Sequence, residues 1–90
     1  MATPLPWQLT AQLWLDRHSP LTAADIEQSL ERWARSHEQP GALILPSEIS
    51  QHLLRCGVRR RQLLQPTHPI GGQPDQQPHC TDITLTLHRL

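Results

Sequence analysis

The sequence lacks lysine, phenylalanine, tyrosine and asparagine altogether, so each of its eight basic residues is an arginine. The missing amino acids have AT-rich codons, and a GC-rich genome therefore explains the choice of arginine without selection for nucleic-acid binding. Eight acidic residues balance the arginines and give a formal charge of zero. This balance excludes a uniformly basic surface and an acidic mimic of nucleic acid, although it does not explain where along the chain the arginines lie.

Long apolar segments are also missing. The longest run, Ala42–Leu45, is far shorter than the roughly 20 residues that span a bilayer, and the N-terminal region has no secretory-signal pattern. We therefore expect a cytoplasmic protein that does not contact a membrane, in which Cys56 and Cys80 remain thiols. We also expect one small domain, residues 1–90. Because so short a chain cannot build a deep catalytic pocket and a scaffold around it, we do not expect an enzyme.

Two segments have the alternating pattern of half-buried strands. In residues 7–15 apolar and polar residues alternate except at Trp14, and a helical interpretation of this segment also stays open. In residues 82–90 isoleucine and leucine alternate with threonine and histidine, without any strand-breaking residue. Residues 1–6 contain two prolines and are predicted to be extended or frayed.

Apolar residues at helical spacing predict helices at residues 22–37 and 47–56. Thr22 and Asp25 have the spacing of a capping box at the start of the first helix, and Gly57 is placed to end the second. Other segments follow from composition: a brief buried strand at 42–45, a two-turn helix or a strand at 58–65, and a flexible Pro/Gly-rich loop at 66–80. These elements predict an α+β fold in which two to three helices pack on a small antiparallel sheet containing the N-terminal and C-terminal strands.

The run from Ser47 through Gly57-Val58 to Arg59-Arg60-Arg61-Gln62-Leu63-Leu64 resembles a helix-turn-helix, and over residues 22–90 the chain resembles a winged helix. The resemblance implies a short recognition helix after the glycine turn, with the 66–80 loop as the wing. It implies a transcriptional regulator that binds double-stranded DNA as a homodimer, since one short element gives little affinity alone.

Arginine pairs with guanine and glutamine with adenine in the major groove. The residues expected to contact DNA are Arg59, Arg60, Arg61 and Gln62. Arg55 extends them into a basic run, because no acidic residue occurs between residues 49 and 74.

A protein–protein interaction module is the alternative, such as a small inhibitor, an adaptor or an immunity-type protein from a mobile element. The neutral net charge and the short presumed recognition helix favour it. Trp14 is its candidate partner-binding residue, because a strand would direct this side chain away from Leu13 and Leu15, and tryptophan is enriched in binding hot spots.

Metal and cofactor sites are not expected. His52 and Cys56 have a spacing that would let one helix present both to a zinc ion, with His79 and Cys80 as the second pair. The recognised ligand spacings are absent, however, and Cys56 also fits the apolar stripe of its helix. No nucleophile motif or phosphate-binding glycine loop occurs either.

Overall fold

The computed structural model describes residues 2–90. Its elements, in chain order, are β1 (Thr3–Leu15), α1 (Ala23–Ser36), β2 (Leu43–Ile44), α2 (Pro46–Arg55), β3 (Arg60–Gln65), β4 (Ile70–Gly71) and β5 (Gln76–Arg89). Three strands form a sheet in the order β3-β1-β5, and β2 pairs with β4 in a separate antiparallel ribbon. The predicted α+β class is confirmed, and neither helix within residues 2–90 is long and apolar enough to cross a membrane.

The expectation of an antiparallel sheet is wrong, because the three-stranded sheet is mixed. β1 is antiparallel to β3 but parallel to β5, with pairing along the whole length from Thr3 to Leu15. Parallel pairing needs a long crossover connection, and the segment between β1 and β5 supplies one because it contains both helices.

The alternation within β1 determines where the core lies. Its odd-numbered residues are buried: Trp7, Leu9, Ala11, Leu13 and Leu15. The helices cover this inner face of the sheet with a second set of buried residues: Ile26, Leu30 and Ala34 from α1, and Ile49 and Leu53 from α2. The opposite face of the sheet, the outer face, carries the even-numbered residues of β1 and is mainly polar.

The start of α1 follows the predicted capping box. The Thr22 hydroxyl accepts a hydrogen bond from Asp25 N–H at 3.2 Å, and the Asp25 carboxylate accepts one from Thr22 N–H at 3.0 Å. Two N–H groups that the helix leaves unpaired are thereby satisfied. The helix ends at Ser36, close to the predicted boundary.

Strand β3 replaces the predicted recognition helix. Gly57, with a φ of +103°, allows the chain to reverse after α2, and the backbone of residues 60–65 then pairs with β1. Pro66 would limit a helix here to about two turns, which is marginal in water. Pairing with β1 satisfies the backbone groups of β3 that face β1, and residues 60–65 are a strand, so the interpretation of Arg59 as the start of a recognition helix is wrong.

Part of the predicted 66–80 loop is regular structure. Ile70–Gly71 forms β4, and β5 begins at Gln76 rather than at residue 82, so a continuous loop acting as a wing is wrong. The Gln76 carbonyl accepts a hydrogen bond from Gly41 N–H at 2.9 Å, and Pro78 is fully buried. These contacts hold the first half of β5 in place, and composition alone does not reveal them. Flexibility of the residues outside β4 and β5 in this segment stays a prediction.

Two prolines lie inside β1, and residues 3–6 are extended, so the extended alternative predicted for the start of the chain is confirmed there and the frayed one is wrong. Met1 lies outside the described residues. β3 pairs with β1 only as far as Thr10, and the earlier part of β1 is paired with β5 alone. Pro4 and Pro6 occur in this earlier part, beside a position that no strand occupies in residues 2–90.

Backbone direction explains why strand β1 tolerates these prolines. The Trp14 carbonyl accepts a hydrogen bond from Arg59 N–H at 2.9 Å, on the β3 side. The Leu15 carbonyl accepts one from Leu90 N–H, also at 2.9 Å, on the β5 side. The backbone N–H and C=O groups of successive strand residues point to opposite sides of the strand. Those of the even-numbered residues of β1 therefore point towards the β3 side. Both prolines therefore face the unpaired edge, where a missing N–H removes no ladder hydrogen bond.

Replacing Thr22 with alanine removes the hydroxyl that accepts the Asp25 N–H, and we expect the free energy of unfolding to fall by about 1 kcal/mol. For a domain of this size the midpoint of thermal unfolding should fall by about 4–8 °C, as measured by circular dichroism. Thr67→Ala, at an exposed threonine outside the helices, is the control and should leave the midpoint unchanged. A Thr22→Ala variant as stable as the parent protein would contradict the role of the capping box.

Candidate nucleic-acid interface

Three strand ends meet at one end of the mixed sheet, which we call the basic end. β1 finishes there, β3 begins there and β5 finishes there, as the pairing of Trp14 with both Arg60 and His88 demonstrates. Four arginines that the sequence singled out lie at this end and are all exposed: Arg55, Arg59, Arg60 and Arg61. The fold therefore converts a basic run in the sequence into a basic surface.

The charges of these arginines are not neutralised by contact with carboxylates. Both salt bridges within residues 2–90 join a histidine to a glutamate: His37 to Glu48 at 3.9 Å, and His79 to Glu38 at 2.9 Å. Another arginine near the basic end is used structurally, because Arg89 donates to the carbonyls of Ser19 and Leu21 at 2.6 and 2.9 Å. The four exposed arginines have no comparable partner within residues 2–90 and are available to an external anion.

A cross-strand stack covers the outer face at the basic end. The rings of Trp14 and His88 are stacked with their centroids 4.9 Å apart and an interplanar angle of 20°. The Arg60 guanidinium carbon lies 5.7 Å from the centroid of the Trp14 ring, within the range of a cation–π interaction. The stack therefore holds Arg60 against a rigid aromatic surface and restricts the directions in which its N–H groups point.

Trp14 is half-buried within its own chain. The expectation that it is exposed is therefore wrong, because Arg60 and His88 cover part of the ring, whereas its role as a partner-binding residue stays a prediction. Alternation along β5 correctly predicts that His88 points away from the core. The sequence does not predict the pairing of β1 with β5, which brings His88 to Trp14 across a separation of 74 positions in the chain.

Strand geometry divides the five predicted DNA-contacting residues into two groups. Arg60 and Gln62 lie opposite Trp14 and Gln12 of β1, so both are on the outer face. Arg61 lies opposite Leu13 and is therefore on the inner face, but at the edge of the sheet its side chain is exposed. Arg55 ends α2 and Arg59 precedes β3, so these two residues lie on the rim of the surface. Sequence reasoning missed Gln12, whose outward direction the alternation of β1 would have indicated.

A second polar cluster joins the two helices. Ser29 Oγ lies 2.8 Å from His52 Nε2 and 3.5 Å from Cys56 Sγ. Burial lowers the pKa of His52 below its usual value, and the positive charges of Arg55 and Arg32 lower it further. His52 is therefore neutral near pH 7, and its contact with Ser29 is a hydrogen bond between uncharged groups that connects α1 to α2.

A third cluster lies in a groove of about 240 Å³ between α1 and β5. His79 Nδ1 contacts the Glu38 carboxylate at 2.9 Å. Burial raises the pKa of the Cys80 thiol, and the carboxylates of Asp82, Glu38 and Glu31 raise it further, so the thiol stays protonated and is a poor nucleophile.

The four ligands of the zinc alternative lie in two different clusters. His52 and Cys56 contact Ser29 in the middle of α1, whereas His79 contacts Glu38, which lies beyond the C-terminal end of α1. Within residues 2–90, no group of three or more histidine, cysteine, aspartate or glutamate side chains is arranged to hold a metal ion.

Comparison with known proteins adds no assignment to these sites. No protein-family profile matches the sequence, and no curated protein matches it. The basic end joins four arginines that form no salt bridge within residues 2–90 to a mainly polar sheet surface.

The lowered pKa of His52 predicts how stability depends on pH. The unfolded chain binds a proton at this residue near pH 6.5, whereas the folded protein binds it only at lower pH, so protonation favours unfolding. The stability contributed by neutral His52 is complete above pH 6.5. It falls as the pH drops from there towards the lowered pKa of the folded state.

We expect His52→Gln to lose less stability than the parent protein when the pH falls from about 7.5 to about 5. Thermal unfolding at a series of pH values measures the difference. His68→Gln, at an exposed histidine outside the helices, is the matched control and should follow the parent protein. An unchanged pH dependence in His52→Gln would show that this residue does not contribute to it.

Proposed function

We propose that the protein is a small, non-catalytic DNA-binding regulator whose basic end contacts double-stranded DNA. The observation that carries the proposal is the group of exposed arginines at one end of the sheet, none of which is paired with a carboxylate within residues 2–90. The phosphate backbone provides most of the affinity of such proteins. In this proposal a sheet surface takes the place of the recognition helix.

Arg55, Arg59 and Arg61 have positions suited to phosphates. They lie around the sheet surface rather than on its outer face, and phosphate contacts position a protein on the duplex without reading sequence. The chain has no net charge, and several of its carboxylates, among them Glu31, Glu38 and Asp82, line the groove between α1 and β5. Attraction to DNA therefore depends on the separation of these arginines from that groove. The proposal therefore requires the basic end, and not the α1 groove, to face the duplex.

Arg60, Gln62 and Gln12 have positions suited to bases. They share the outer face of the antiparallel β1–β3 pair, and the major groove admits a two-stranded ribbon. Arginine and glutamine also form bidentate pairs with guanine and adenine, respectively. The stack on Trp14 supports this role, because an arginine that is already oriented loses less entropy on binding.

A protein–protein interaction module remains the alternative, but the structure weakens the case for Trp14 as its partner-binding residue. Trp14 is its candidate anchor for a partner, and in the folded chain Arg60 and His88 already cover the ring. A partner would have to displace both side chains to reach it.

Replacing Arg59, Arg60 and Arg61 together with alanine should abolish binding to duplex DNA at moderate salt. In a titration, the slope of log K against log salt concentration should also become shallower by about 0.9 for each phosphate that the variant no longer neutralises. The fold should persist, because all three side chains are exposed and the contact of Arg60 with Trp14 contributes only about 0.5–1 kcal/mol at an exposed site.

The control for the triple variant is Arg32→Ala/Arg35→Ala, which removes two exposed arginines from α1 instead. We expect this control to bind duplex DNA as the parent protein does, or slightly more weakly because of the change in net charge. If the triple variant binds as well as the parent while remaining folded, the basic end is not the interface.

Gln62→Ala and Arg61→Ala should have different effects if the sheet face reads bases. Gln62→Ala should relax the preference among DNA sequences and leave the salt slope unchanged. Arg61→Ala should weaken binding to all sequences equally and reduce the salt slope. Binding to a randomised duplex library, measured at several salt concentrations, separates the two effects. Equal behaviour of the variants would contradict the division between base and phosphate contacts.

A further inference from the structure

The two outer strands of the mixed sheet leave backbone edges without partners, and such edges tend to pair with other chains. The edge of β3 carries Arg60 and Arg61, whose charges oppose self-pairing. The free part of the β1 edge presents Pro4 and Pro6, which lack the N–H groups that pairing requires. The β3 edge and the free part of the β1 edge therefore both have features that protect them from association.

The edge of β5 is protected only in its first half. There Pro78 is buried and the Gln76 carbonyl is bonded to Gly41 N–H. The second half, Ile83–His88, contains no proline, glycine, arginine or acidic residue, and β5 has no strand on its outer side within residues 2–90.

The direction of the backbone groups in this segment follows from its pairing with β1. Leu90 N–H donates to the Leu15 carbonyl, so even-numbered residues in this half of β5 face β1. The N–H and C=O groups of the odd-numbered residues Ile83, Leu85 and Leu87 therefore face the open edge. Their side chains are half-buried against the core, which anchors this half of β5 in the sheet.

We propose that the second half of β5 pairs with the same segment of a second copy of the chain. The two strands would be antiparallel, with Leu85 of each copy opposite Leu85 of the other, and the mixed sheet would continue through both copies. Antiparallel pairing around a two-fold axis is self-complementary. A hydrogen-bonded antiparallel pair at the axis requires a residue whose N–H and C=O groups point to the open edge, and Leu85 is such a residue.

The side chains favour this register. With Leu85 at the axis, Thr84 lies opposite Thr86 of the other copy, and Asp82 lies opposite His88. Threonine pairs are favourable across antiparallel strands, and the Asp82 carboxylate can accept a hydrogen bond from an N–H of the His88 ring. Shifting the axis to Ile83 would place Thr84 opposite Asp82 and extend the pairing into the bulge where β5 changes register with β1. Centring on Leu85 avoids that bulge and matches both polar pairs.

Combined with the proposed function, and resting on it, this pairing has a geometric consequence. The two-fold axis is perpendicular to the sheet, so the outer faces of both copies are on the same side. Strand spacing and rise place the two copies of Arg60 about 30 Å apart, close to the ~34 Å that separates successive major grooves. The dimer would therefore suit a DNA site with two-fold symmetry.

Hydrogen exchange of the full-length protein, without DNA, tests the pairing. In a dilution series followed by NMR, the amides of Ile83, Leu85 and Leu87 should exchange quickly when dilute and slowly when concentrated. The amides of Thr84 and Thr86, which face β1, should stay protected throughout and serve as the internal control. Sedimentation over the same series should show a change from monomer to dimer mass.

A backbone variant gives an independent test. Leu85→Pro removes the N–H at the axis and should raise the dissociation constant of the dimer at least about tenfold, since each copy loses a hydrogen bond. Leu85→Ala is the matched control, because it loses similar packing but keeps the N–H and should dimerise more tightly than the proline variant. If Leu85→Pro does not fold, exchange in the parent protein decides the question.

Three results would overturn the pairing. One is a monomer mass with rapid exchange of the three outward amides at every concentration. Another is protection of those amides in the dilute monomer, which would mean that the chain covers its own edge. The third is growth beyond a dimer. If the parent protein dimerises but does not bind DNA, the proposed function alone is refuted. If it binds DNA but stays monomeric, the pairing alone is refuted.

Discussion

The parallel pairing of β1 with β5 is the interaction on which the rest of the structure depends. It joins the first and last strands of the chain and places β1 in the middle of the mixed sheet, with β3 on its other side. Odd-numbered residues of β1 then build the core with both helices, while Gln12 and Trp14 lie on the outer face of this middle strand, towards the basic end. One alternating segment therefore supplies both the stabilising surface and the candidate binding surface.

Local patterns in the sequence were sufficient for the elements whose stability is local. The capping box at Thr22, the glycine that follows α2 and the alternation of residues 82–90 each act within a few positions, and the structure has the expected element at each place. The direction of pairing between β1 and β5 could not be obtained in this way. Parallel and antiparallel strands have the same alternation, and the choice depends on contacts between opposite ends of the chain.

For residues 58–65 the sequence left a helix and a strand open; the strand is confirmed over Arg60–Gln65 and the recognition helix is wrong, for a related physical reason. Arg60-Arg61-Gln62-Leu63 contains good helix-forming residues, and only the presence of an open edge on β1 makes the strand the better solution. The candidate site was affected in the same way, because the four arginines were correctly placed near one another along the chain but Trp14 and His88 were not associated with them. That stack exists only after three separate strands have assembled.

Arg60 and Arg61 satisfy two requirements at once. A six-residue edge strand of this kind would associate with other chains if its exposed side chains were apolar, and two arginines oppose that association by repulsion. The same charges, at the end of the sheet where no carboxylate within residues 2–90 forms a salt bridge with them, are what an anionic duplex would bind. The edge of β5 carries apolar residues and threonines instead, so the two edges of one sheet are suited to different partners. We propose a polyanion as the partner of the first edge, because of its charge, and another copy of the chain as the partner of the second, because of its self-complementary pairing.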